Sequence, residues 1–80
     1  MTVEELIQKI KAGLPNSEVQ VVDLNGTGDH FSAVVIASEF EGKNRIQQHQ
    51  AVYKTVSDVL TKELHALQLK TYTPKQWKEQ

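Results

Sequence analysis

Eighty residues, 39% apolar and 24% charged, make one small globular domain spanning residues 1–80, in which only roughly 60% of the unfolded chain's surface can be buried. The chain has no cysteine, which excludes a disulfide framework, a thiolate nucleophile and any self-contained cysteine-based zinc or iron–sulfur site. A net charge of −1 and a pI of about 6.3 give no reason for strong non-specific attraction to nucleic acid, although a local basic patch remains open.

Thr2 and Glu5 fit a capping box, and Val3, Leu6, Ile7, Ile10 and Leu14 recur at helical spacing until Gly13 and Pro15 end the segment. This predicts a first amphipathic helix about three turns long. Val19, Val21, Val22 and Leu24 predict a strand from about Glu18 to Leu24, followed by the turn-rich loop Asn25-Gly26-Thr27-Gly28-Asp29. Phe31, Ala33, Val35 and Ala37 then alternate with His30, Ser32, Val34 and Ile36, a second strand that should pair with the first as an antiparallel hairpin.

The run Glu39 to Lys43 breaks the pattern and leads to a helix start at Asn44 or Lys43. Ile46, His49, Val52, Tyr53, Val56, Val59 and Leu60 mark one helical stripe reaching about Leu64. Poor helix formers from Thr55 to Asp58 could divide it in two, with Ser57 or Thr55 capping the second piece. His65, Leu67 and Leu69 alternate with Ala66, Gln68 and Lys70, a third strand with one buried face and with His65 at its start. Thr73 as N-cap, Pro74 at the first helical position and Gln76 three residues past the cap start a short last helix carrying Trp77. The order predicts an α+β two-layer sandwich, a three-stranded sheet with helices on one face.

The N-terminus has no basic stretch followed by an apolar run, and no segment approaches the roughly 20 apolar residues of a membrane span, so a cytoplasmic location is the expectation. Nothing resembles a nucleophile–base pair, a phosphate loop or a paired-carboxylate site, and Asp23, Asp29, Glu39 and Glu41 read as ordinary loop or strand-end charges. A binding protein, not an enzyme, is expected.

Five separated blocks together resemble the BolA family. They are Gly28-Asp29-His30-Phe31; Phe40-Glu41-Gly42-Lys43 followed by Arg45 and His49; Leu64-His65-Ala66-Leu67 with Thr71; Thr73-Pro74; and Trp77. The resemblance covers almost the whole chain. It implies a class II KH-like fold, α-β-β-α-α-β-α, and partnership with monothiol glutaredoxins of the CGFS type, either apo or bridged by a 2Fe-2S cluster. It also implies that the histidine of the Leu-His-Ala-Leu block, here His65, ligates that cluster.

In the family a second ligand, His or Cys, comes from the loop between the first two strands. Here residues Asn25 to Asp29 contain neither, and His30 is the imidazole next to the loop, which makes it the candidate. A two-iron cluster needs four ligands, commonly thiolates with His allowed on one iron, so three histidines and no cysteine cannot hold it alone. The partner's cysteine and its bound glutathione must supply thiolates, and mixed ligation would make the site more labile than an all-thiolate one. Lys70, Thr71, Tyr72, Thr73, Pro74 and Trp77, close to His65 in sequence, are expected to form part of the docking surface. The free chain is expected to be a monomer or weak homodimer.

A reading from another class is a nucleic-acid-binding regulator, with Lys43, Arg45, His49 and Lys54 as the contact residues. KH modules clamp the backbone with a Gly-x-x-Gly loop, yet the region from Lys54 to Asp58 has no glycine. Gln47, Gln48 and Gln50 also stand where the family's helix carries a basic stretch. A structural role on the helical stripe is the expectation for His49.

Overall fold

The computed structural model describes all 80 residues. The elements are α1 (Val3–Gly13), β1 (Ser17–Asp23), β2 (His30–Ala37), α2 (Arg45–Thr55), β3 (Ala66–Tyr72) and α3 (Pro74–Glu79), with a 3-10 turn at Ser38–Phe40. Each α-helix begins with a reciprocal capping box, Thr2 with Glu5, Asn44 with Gln47 and Thr73 with Gln76. Two otherwise orphaned backbone donors are thereby satisfied at each start.

The sheet order is β1-β2-β3, with β1 antiparallel to β2 and β3 parallel to it. Phe31, Ala33, Val35 and Ala37 alternate inward and are almost wholly buried beneath α1 and α2, in one core with Leu6, Ile10, Val52, Val56, Leu64 and Leu67. The α+β sandwich and its three strands are as the sequence predicts.

Three details differ. The helical stripe does not continue to Leu64: α2 ends at Thr55, and Val56 to Val59 form turns instead of a second helix. The hydroxyls of Thr55 and Ser57 donate backward to the carbonyls of Val52 and Lys54. They close α2 rather than cap a new helix, and Thr61 takes the left-handed region (φ 68°) within the turns that continue to Glu63.

The stripe's phase is also shifted. Ile46 is 69% exposed, while Gln48, two residues on and so roughly 200° around the helix, is buried at 2%. Gln48 donates to the Lys43 carbonyl and accepts from the Thr71 hydroxyl, so its burial leaves neither end of the amide unpaired. Finally, α3 does not simply join α1 and α2. Trp77 meets Tyr72 edge-on at 5.3 Å, and Tyr72 with its register partner Ile36 alternates toward the face opposite Phe31. The last helix thus covers the far end of the sheet's second face.

Candidate functional site

The site forms where the β1–β2 loop meets the start of β3. Asp23 organises that loop: Oδ1 accepts from the N–H groups of Asn25 and Gly26, and Oδ2 from that of Gly28. Gly28 needs its positive φ of 75°, and a Cβ there would lie 2.7 Å from the Met1 carbonyl oxygen, so only glycine fits. Leu24 N–H donates to the His30 carbonyl and closes the hairpin. The Asp29 carbonyl then accepts from the N–H groups of both His65 (2.9 Å) and Ala66 (3.2 Å), fastening β3 to the end of the loop.

That fastening brings the two sequence-predicted ligands together. The rings of His30 and His65 stack, with centroids 5.8 Å apart and planes 12° from parallel. His65 itself lies just before β3 and is exposed, not on the strand's buried face, because the strand starts at Ala66. His30 and Phe31 point to opposite faces as alternation requires, and Phe31 backs the site from the core.

Asp29, read from sequence as an ordinary loop charge, has a specific place here. Its Oδ1 lies 2.8 Å from His30 Nδ1 and also accepts from the Thr27 hydroxyl. These two hydrogen bonds, with the nearby imidazoles, hold the Asp29 carboxyl below the usual carboxylate range. An ionised carboxylate only accepts, so His30 Nδ1 carries the proton and Nε2 of the neutral ring keeps its lone pair. A carboxylate bound to one nitrogen of an imidazole is the arrangement by which proteins orient a metal-ligating histidine. The signal in the sequence was the Asp-His pair after a glycine-rich turn.

No three His, Cys, Asp or Glu side chains converge as a complete metal site. Two imidazoles alone are fewer donors than a metal centre commonly takes, and the chain has no cysteine to add to them. A groove of about 520 Å³ runs along α1 beside Glu4, Glu5 and Glu63 and contains neither histidine.

The other sequence-predicted residues do not gather at the pair. Tyr72, Thr73, Pro74 and Trp77 lie at the opposite end of β3, roughly 23 Å from His65 along an extended strand. There Arg45, His49, Lys70, Thr71 and Tyr72 line a groove of about 260 Å³ between α2 and β3, and Lys43 joins its continuation toward α3. His49 is half-buried beside that groove, whereas Lys54 is exposed in the last turn of α2, roughly 13 Å along the axis from Arg45. No helix is long and apolar enough to cross a membrane.

Comparison with known proteins agrees with this architecture. The family model described as BolA-like protein matches residues 8–76. A solved bolA protein homologue from Coxiella burnetii is 35% identical, superposes with a TM-score of 0.85 and is matched over 98% of this chain and 97% of its own. An uncharacterised protein of Rickettsia prowazekii is 34% identical over 89% of this chain and 92% of its own length. The DNA-binding transcriptional regulator BolA of Escherichia coli is 31% identical over 96% and 80%. On the family model, these identities and the shared fold, the chain belongs to the BolA-like protein family.

Proposed function

We propose that this protein is an adaptor that docks on a monothiol glutaredoxin of the CGFS type and offers His30 and His65 to a 2Fe-2S cluster shared with that partner and glutathione. The observation that carries this reading is the stacked imidazole pair with Asp29 bound behind His30. The cluster, when bound, supplies redox-active iron whose potential and lability respond to imidazole in place of thiolate. The chain's own contribution is positional: Asp29 fixes the His30 tautomer, and the bonds from His65 and Ala66 to the Asp29 carbonyl hold the second ring beside the first. A folded partner of about 100 residues has a radius of gyration of about 13 Å, so one bound at the histidines can also reach Lys70 and the segment from Thr71 to Trp77.

The test is visible circular dichroism of cluster-loaded glutaredoxin titrated with this protein. Wild type should change the spectrum, and His65→Ala and His30→Ala should each abolish that change. Asp29→Asn should weaken retention of the complex roughly tenfold, the usual effect of losing such a supporting carboxylate. A His65→Ala spectrum identical to wild type rejects the ligand assignment.

A nucleic-acid-binding regulator is the second reading, favoured by the name of the E. coli relative and by Lys43, Arg45 and His49 lying along one groove. Anisotropy with labelled DNA at physiological ionic strength should then show binding that falls steeply with salt. Absence of binding there removes this reading.

A further inference from the structure

The outer edge of β3 has features that the histidine site does not use. In a parallel ladder, successive residues turn their backbone groups alternately toward and away from the neighbouring strand. Ala66 donates to Asp29 across the β2 side, so Leu67, Leu69 and Thr71 turn their N–H and C=O groups outward. The Leu67 carbonyl accepts from the Tyr53 hydroxyl. No backbone hydrogen bond outside the helices and strands involves Leu69 or Thr71, and β3 has no strand on that side.

This free edge borders the groove of about 260 Å³ that holds Arg45 and His49 on its α2 side. Lys70 alternates to the other face of the strand, so cations flank the edge both above and below the sheet. Neither Arg45 nor Lys70 is paired with a carboxylate, and no acidic residue lines the groove. The opposite sheet edge, β1, carries Glu18 and Asp23 instead.

We infer that the edge of β3 from Leu69 to Thr71 is a docking site for an extended acidic peptide segment of a partner protein, added as a fourth strand. Main-chain bonds to Leu69 and Thr71 would supply register, and consecutive acidic side chains, pointing to opposite faces of the added strand, would meet Arg45 on one face and Lys70 on the other. A second copy of this chain fits poorly, because antiparallel pairing centred on Lys70 sets like charges opposite each other. Single-stranded nucleic acid is also a weaker match. Tyr72, the aromatic ring at the groove, is already engaged by Trp77, which leaves no free stacking platform.

The inference does not depend on the histidine pair, and its test contains no iron. Fluorescein-labelled Val-Glu-Glu-Val-Glu-Glu-Val-amide, in which each Glu-Glu pair presents one carboxylate to each face, is titrated into the full chain by anisotropy, alongside the Lys-Val counterpart with Lys in place of Glu and a labelled thymidine decamer. The acidic peptide should bind, and the exposed-site double variant Arg45→Glu with Lys70→Glu should weaken it roughly tenfold or more while keeping the native far-ultraviolet spectrum. Amide exchange should slow at Leu69 and Thr71 when the peptide is bound. Equal binding of the Lys-Val peptide, binding of the decamer in place of the peptide, unchanged affinity in the double variant, or protection confined to other amides would each overturn the inference. So would sedimentation showing that this edge is already closed by a second copy.

Discussion

The two ends of β3 are built on opposite plans. At its start, polar side chains stand at the surface, and stability comes from behind them, where Phe31 and Leu67 are neighbours in the register and buried. At its far end a polar network is part of the packing: Gln48, buried on α2, joins the Thr71 hydroxyl to the Lys43 carbonyl. The first end can therefore give its exposed groups to a ligand at little cost to the fold. The second has polar groups that the fold itself requires.

The largest effect should separate the two faces at the histidine end. Phe31→Ala is expected to lose about 3–5 kcal/mol in urea denaturation, and His30→Ala or His65→Ala about 0.5 kcal/mol or less. Histidine variants as damaging as the phenylalanine one would break the contrast. At the other end, Gln48→Ala should lose about 1 kcal/mol, since it leaves the part-buried Lys43 carbonyl and Thr71 hydroxyl without these partners. A neutral result there would mean that the network contributes nothing beyond packing.

The connection that delivers His65 gives a smaller effect of opposite sign. Thr61 holds a left-handed backbone conformation that a β-branched residue adopts reluctantly. Thr61→Asn should thus gain up to about 1 kcal/mol while leaving the cluster-linked spectrum unchanged. If that spectrum also shifts, the turn and the histidine site are coupled.

The smallest effect concerns Asp58, whose carboxyl is held below the usual carboxylate range by the Lys9 ammonium 2.7 Å away. Because the folded state depresses this pKa, its stabilisation is complete above the unfolded value of about 3.9 and disappears as pH falls through the folded value. Asp58→Asn should accordingly be slightly less stable than wild type near pH 6 and equal to it once the wild-type Asp58 carboxyl is protonated in both the folded and the unfolded state. A difference that persists at low pH would assign the effect to packing.

What was legible in the sequence is what local chemistry decides. Thr2 with Glu5 and Thr73-Pro74 with Gln76 start helices through neighbours three residues away, and the alternation from Phe31 to Ala37 marks a face without further help. Gln48 was not legible, because its partner Thr71 lies 23 positions on and only the folded sheet brings it near. An apolar stripe read alone favours Ile46, which the phase of the helix leaves in water. The Asp29 carboxyl meets Thr27 and His30 locally, whereas its carbonyl acquires its partners at His65 and Ala66 only when β3 is in place. His65 and Trp77, near in sequence, are separated in the fold by an extended strand, the secondary structure that carries a chain farthest per residue.

The parallel pairing of β2 with β3 has a consequence for how the histidine pair comes into being. Parallel neighbours cannot be joined by a tight turn, so the whole of α2 and the turns after it must intervene between His30 and His65. A chain that has made only its hairpin presents a solitary imidazole, and the pair exists only after this long loop has closed. A ligand that needed both rings would thus distinguish the finished domain from a chain that has made only its hairpin. Any ligand held by both rings also adds its binding free energy to the native state by mass action.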